Sequence, residues 1–378
     1  MPGTLRQRTR DLRYGVTGSY TYRSSGQSFE RTAQQGTWDT NTDWVGNFSG
    51  DNSLTIQRDE WRYAKVNGTV SGIGGLKDID HWPLTLLPTP EPLGRFGYVN
   101  LDNLVVTALA KMNPSAPHVS IPTFIGELKD IPSLVRSWGR NVLEWLANAN
   151  LWWRFGVRPL IGDIQRIFSF QKSVANRMKW LEKLKTTGSV RRQVKLGIDT
   201  WHLDSPLTVV ESAACLVKAL KYEDASRTTW ASSKWTLPSG AALPRMDYGQ
   251  LRNLAIRLTY GIDSFEAFRT AWELLPWSWL IDWFIPVGDW LTACGNSLGL
   301  QCLRVCIMRT FVGTLGFYAF SGYPSGAEVI GDHWSRRVYK YRTVHLGTLL
   351  PTPSIPAITA GQWSILGSLA ALKGRKSL

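Results

Sequence analysis

The sequence predicts an α+β protein: a discontinuous helical bundle plus a discontinuous, mostly antiparallel β-sheet region, elongated in outline. Three observations carry that expectation. β-type texture occurs at 1–100, 188–260 and 300–350. Helical texture occurs at 120–187 and 262–298. Net charge changes with texture, from +1 over 1–100 to +6 over 101–187, +4 over 188–260, −4 over 261–299 and +7 over 300–378. The sheet region is therefore expected at 1–120, 188–260 and 300–360. The helical region is expected at 121–187, 261–299 and 361–373.

Taken in chain order, residues 14–75 are rich in Gly, Ser, Thr, Tyr and Trp. Turn signals at Ser25-Gly26, Asn67-Gly68 and Gly74-Gly75 predict β-hairpins. The proline-rich runs 83–92 and 349–356 read as extended connectors. In the first helical block Val157, Ile161, Ile164, Phe168, Ala175 and Met178 recur at helical steps, with Pro159 near the start, where proline is tolerated. Val194, Leu196 and Ile198 alternate with polar neighbours, the period of a strand with one buried face. Val305, Ile307, Phe311, Leu315 and Phe317 continue that theme, interrupted by Arg309. From Asp263 to about Asn296 a second helical block carries Phe265, Phe268, Trp272, Leu275, Trp279, Trp283 and Trp290. Pro276 and Pro286 are expected to break it. Residues 362–372 form a third helical candidate, ending in a basic tail.

Composition excludes several classes. With 43% apolar and 19% charged residues in 378, the chain can build a core. Four cysteines are too few for a disulfide scaffold. The basic N-terminus lacks an apolar segment behind it, so no secretory signal is expected and synthesis in a reducing cytosol is the default. The most apolar window, 274–287, is too short for the ~20 residues of a membrane span and contains Asp282. A net charge of +14 points to a polyanionic partner.

Catalytic signals are poor. Asp78, Asp80 and His81 form a DIDH run that a polar turn explains as well as a metal does. Cys302 and Cys306, near Cys294, lack the second pair a zinc site needs and read as core-filling thiols. Residues 72–75, GIGG, lack the lysine of a phosphate loop. No nucleophile elbow or zincin motif occurs, and five histidines leave little acid–base chemistry. No enzymatic activity and no cofactor are expected. A metal-dependent nuclease is the reading of another class, and Asp163 alone does not supply its carboxylates.

The basic helix is the stronger signal. Arg154, Arg158, Lys172, Lys179 and Lys183 project to one side of a helix, with Arg166 and Arg177 on the other flank of the apolar stripe. Such a ribbon tracks phosphates and releases counterions. These seven are the nucleic-acid-binding candidates; Trp152, Trp153 and Trp180 are candidates to stack on unpaired bases or to fill the core. Asp282, among Trp279, Trp283 and Phe284, is expected to need a buried arginine partner, Arg154 or Arg158. Tyr20, Tyr22, Trp38 and Trp44, in the nearly neutral hairpins with Trp61 and Tyr63, are candidates for contact with a protein receptor.

Two segments resemble a known family. Residues 150–163, NLWWRFGVRPLIGD, and 271–289, AWELLPWSWLIDWFIPVGD, are similar to the two hallmark motifs of levivirus maturation proteins, the attachment proteins of small RNA bacteriophages. The resemblance implies a virion component present as one copy in place of a coat-protein dimer. It implies that the helical region binds the genomic RNA near its 3′ end, that the sheet region docks on a host pilus, and that protein and RNA enter the host together. It also implies that Phe155, Pro159, Asp282, Trp279 and Trp283 hold the bundle together. Some members cause lysis by inhibiting a cell-wall precursor enzyme, which is a second expected role.

Overall fold

The computed structural model describes residues 3–45, 52–72, 74–97, 99–116, 149–151, 153, 154, 158, 170–260, 269, 272, 278–295, 298–345 and 359–373. Two compact units emerge, each assembled from three stretches of chain. The first comprises Met1–Tyr98, Lys195–Trp230 and Cys306–Val344; the second comprises Val99–Val194, Ala231–Val305 and His345–Leu378. Four of their five boundaries fall inside strands.

Among the described residues ten strands form one sheet. They are β1 (Thr4–Tyr22), β2 (Ser28–Val45), β3 (Leu54–Arg62), β4 (Lys65–Gly72), β5 (Gly75–Pro83), β6 (Ser189–Glu211), β7 (Val217–Thr236), β8 (Gln301–Ser321), β9 (Ala327–Ile330) and β10 (His333–His345). Their order is β6-β7-β8-β10-β3-β2-β1-β5-β4-β9. The pairs from β10 through to β9 run antiparallel. β1 and β2 form a hairpin in register from Thr4↔Val45 to Thr21↔Ser28. Two glycines are dictated by backbone. A Cβ at Gly18 would strike the His81 carbonyl of β5, and Gly74 takes φ 91° in the tight turn that closes β4 on β5.

The first unit buries Tyr20, Val66, Val70, Ile79, Trp82 and Leu84 against Val210, Val217 and Ala219. Arg31 and Glu211 are drawn into this core. The Glu211 carboxylate is nearly inaccessible and accepts from Arg31 Nη1 at 2.5 Å, Thr85 Oγ1 at 3.3 Å and the Ser212 and Ala213 amides. Arg31 also covers the Trp82 ring at 4.5 Å. The alternation read in β8 holds, with Val305, Ile307, Phe311 and Leu315 buried. On β6 it fades: Val194 and Leu196 are half-buried, while Ile198 is exposed.

The second unit contains α1 (Leu101–Met112), α2 (Phe170–Thr187), α3 (Tyr248–Tyr260), α4 (Ser278–Asp282), α5 (Val287–Cys294) and α6 (Ala360–Lys373). Residues 101–112 and 248–260 were expected in the sheet region, and both are helices. Each has a local cause. Asn100 Oδ1 accepts from the Asp102 and Asn103 amides and starts α1. Asp247 and Gln250 bond each other's backbone amides at 3.0 and 2.8 Å, a capping box that starts α3. Thr359 and Gln362 do the same for α6, close to its expected position. Pro286 separates α4 from α5, as expected; Pro276 lies outside the described residues. Met178, Leu181 and Leu184 of α2 meet Leu251, Ala255 and Leu258 of α3, joined by Val190, Trp235 and Leu300. Stripes at helical spacing fix this pairing. Among the described residues no helix is long and apolar enough to cross a membrane.

Candidate nucleic-acid interface

The α2–α3 packing decides which basic side chains reach solvent. With Met178, Leu181 and Leu184 turned inward, Lys172, Lys179 and Lys183 fall on the outer face at steps of seven and four and are exposed. None of these three ammonium groups forms an ion pair or side-chain hydrogen bond within the described residues. They form a cationic row that no carboxylate among the described residues neutralises by contact.

Arg177 does not join them. Its guanidinium turns inward and donates to the carbonyls of Pro114 and Ala116, just past the C-terminus of α1. Burial, with Arg192 nearby, lowers its pKa to about 10. Arg192 donates to the Asn113 carbonyl at 3.2 Å and lies over the Trp180 ring at 5.7 Å, and burial lowers its pKa too. Two arginines thus complete the carbonyl end of α1, where cations are favoured. Trp180 packs against the core beneath Arg192, so its ring is not a free platform. Replacing Arg177 with Met is expected to destabilise the chain by about 2 kcal/mol, because two carbonyls lose their donor. Urea unfolding measures this. A variant of unchanged stability but altered RNA binding would return Arg177 to the outer face.

Arg154 Nε donates to Asn150 Oδ1 at 2.9 Å, and Asn150 Nδ2 in turn reaches Ser364 and Ser368 of α6. Arg158 and Trp153 are exposed. Arg166, Phe155, Pro159 and Trp152 lie outside the described residues, as does the side chain of Trp279. The expected pairing of Asp282 with Arg154 or Arg158 is corrected. Asp282 accepts instead from Gly288 N at 3.0 Å and Trp272 Nε1 at 3.3 Å. A carboxylate at the first turn of α5 is satisfied by one backbone amide, an indole N–H and a helix dipole, so it needs no buried cation. Trp283 is half-buried beside it.

Across from the α2 row runs a stripe of α3 that sequence reasoning missed: Tyr248, Arg252 and Ile256, at steps of four. Tyr248 is 70% exposed and Arg252 also faces solvent. With Val174, Ala175, Met178, Lys179 and Glu182 of α2 these residues line a groove of about 530 Å³. The readable signal was the Asp247-to-Gln250 capping box, which marks a helix start inside a stretch otherwise textured like strand and turn.

The receptor candidates divide as well. Tyr20 is buried between Phe29 at 5.1 Å and Trp82 at 5.0 Å and leaves the candidate surface. Tyr22 packs edge-on to Tyr20 with Lys77 Nζ 4.8 Å from its ring. Trp38 is half-buried, and Trp44, near the open end of the hairpin, is 38% exposed. Leu5, Leu12 and Tyr14 are exposed on β1. Arg6–Asp43 and Arg10–Asp39 pair along the same hairpin, and Arg58 of the neighbouring β3 joins Asp39, which keeps this region close to neutral.

The DIDH run lies in β5, not in a turn. Asp78 is occupied by Arg23 and Thr69, and His81 Nδ1 lies 2.6 Å from Asp80. Cys215 and Cys306 are buried; burial, with Glu211 adding to it, raises the Cys215 thiol to about 11. Among the described residues no group of His, Cys, Asp and Glu could hold a metal ion.

Comparison with known proteins agrees with the motifs. Residues 126–310 match the family described as phage maturation protein. Maturation protein A2 of Qbeta virus (strain MX1) is 24% identical over 171 residues, covering 43% of this chain and 36% of that protein. The matched stretch therefore spans little more than a third of that relative's length.

Proposed function

We propose that this chain, which matches the phage maturation protein family over residues 126–310, is a virion protein that binds the genomic RNA through its helical unit and a host pilus through its sheet unit. It acts by binding, without catalysis. It occupies the capsid as one copy among coat-protein dimers and accompanies the RNA, held near its 3′ end, into the host. The observation that carries the RNA half of this reading is the exposed lysine row Lys172, Lys179 and Lys183, without an ion pair among the described residues, with Arg252 across the groove. A row of free ammonium groups is what phosphate neutralisation requires. Support for the receptor half is weaker in charge and stronger in side-chain type: a near-neutral hairpin with Trp44, Tyr14 and Leu12 exposed suits a protein surface better than a polyanion.

The test is the salt dependence of RNA binding. Changing Lys172, Lys179 and Lys183 together to Gln is expected to reduce the slope of log K against log salt by roughly 2–3, as each lost phosphate contact removes about 0.7–0.9. An unchanged slope would remove α2 from the RNA footprint.

A further inference from the structure

We propose that the groove between α2 and α3 is a pocket for one unpaired RNA base, and that Glu182 makes it selective for guanine. The inference rests on the RNA-binding reading above and adds a ligand group and a specificity residue to it.

The first argument is the fit of the walls. The cavity, about 530 Å³, lies in the roughly 300–1,000 Å³ range of small-ligand sites. Its floor is apolar, from Val174, Met178 and Ile256, and an exposed tyrosine ring stands at its mouth with one cation on each helix. An apolar floor and a free aromatic face receive a base; Lys179 and Arg252 receive its flanking phosphates.

The second argument is the carboxylate. Glu182 lies in the same groove, on the exposed face between Lys179 and Lys183, and within the described residues its side chain has no ion pair and no hydrogen bond. A carboxylate set among phosphate-binding cations opposes a polyanion unless it accepts hydrogen bonds from the ligand. An ionised carboxylate only accepts, through two coplanar oxygens. On its Watson–Crick edge guanine presents two adjacent donors, N1–H and the N2 amino group. Adenine and cytosine each present one donor beside a ring-nitrogen acceptor, and uracil presents one donor between two carbonyls. Only guanine satisfies both oxygens without an acceptor facing them.

The third argument is preorganisation. The capping box of Asp247 and Gln250 fixes the first turn of α3, and Lys185 Nζ donates to the Met246 carbonyl at 2.6 Å, tying that turn to α2. Tyr248 is therefore held in place before any ligand arrives, which lowers the ordering cost of stacking.

Fluorescence anisotropy with the full chain and labelled single-stranded heptamers tests this. The heptamers are oligouridylate with a central G, a central A or no substitution. The wild type is expected to bind the G-containing strand at least tenfold more tightly than either other, and free GMP to compete better than AMP. Glu182→Gln, which replaces one acceptor with a donor, is expected to weaken binding of the G-containing strand until the strands lie within about twofold of each other. Tyr248→Ala is expected to weaken binding of the G-containing strand. Salt-dependent binding with no guanine preference, or a preference that survives Glu182→Gln, overturns the pocket and leaves the lysine row standing. Failure of every strand, and of long RNA, to bind overturns both.

Discussion

Replacing Arg31 with alanine is expected to destabilise the chain by about 3–5 kcal/mol, the usual cost of leaving one partner of a buried ion pair uncompensated. The Glu211 side chain is 1% accessible, so the charge left behind has little water to turn to. Lys77 is the other buried cation of this core, but its ammonium donates to the Ala213 and Ala214 carbonyls and lies against the Tyr20 and Tyr22 rings. It cannot replace Arg31 without abandoning those contacts. Losing Arg31 also uncovers the Trp82 ring and leaves the Pro83 carbonyl without its donor. Denaturant unfolding measures the loss. The double change Arg31→Met with Glu211→Leu is expected to cost less than Arg31→Ala alone, since it removes both charges together. A single variant within about 1 kcal/mol of wild type would show that water reaches Glu211.

The second large effect depends on pH. His333 is 1% exposed, its ring set between Tyr63 and Phe317 at 5.6 Å from each. Burial lowers its pKa from 6.5 to about 4, and the Thr85 backbone only partly counters this. The unfolded chain therefore takes up a proton near pH 6.5, while the folded chain resists it until near pH 4. This site imposes no proton-linked penalty above pH 6.5. Stability falls as pH drops from 6.5 to 4 and levels off below, a loss of about 3 kcal/mol at 1.36 kcal/mol per unit. Unfolding titrations at pH 7 and pH 4, compared between wild type and His333→Leu, isolate this contribution from that of the carboxylates. Equal pH dependence in the two proteins would show that the imidazole is protonated in the folded state.

Much of this fold is legible in the residues, and the misses have physical causes. Strands with one buried face announce themselves, as Val305, Ile307, Phe311 and Leu315 do. Along the exposed stretches of the long strands β1 and β6 no buried face remains, so Leu5, Leu12 and Ile198 are apolar and exposed, and alternation there says nothing about burial. Helices α1 and α3 escaped because β-branched and turn-forming neighbours outweighed short capping signals at Asn100 and Asp247. The helical face of lysines was readable from spacing alone. Arg177 and Trp180 were not, because spacing places a side chain on a flank but does not reveal which helix end or ring awaits it there. Asp282 misled for a related reason: burial demands partners for a carboxylate, and backbone amides meet that demand as well as a cation does.

Four of the five junctions between the two units, at 194/195 in β6, 230/231 in β7, 305/306 in β8 and 344/345 in β10, bear on how such proteins diversify. A hybrid that exchanges one unit for a relative's must splice four ladders in mid-strand, and a slip of a single residue in any of them turns its inward side chains outward. Module shuffling is closed to this architecture. Change in either unit proceeds by point replacement on a retained scaffold, and grafts are tolerated at turns such as residues 24–26, where no ladder is cut.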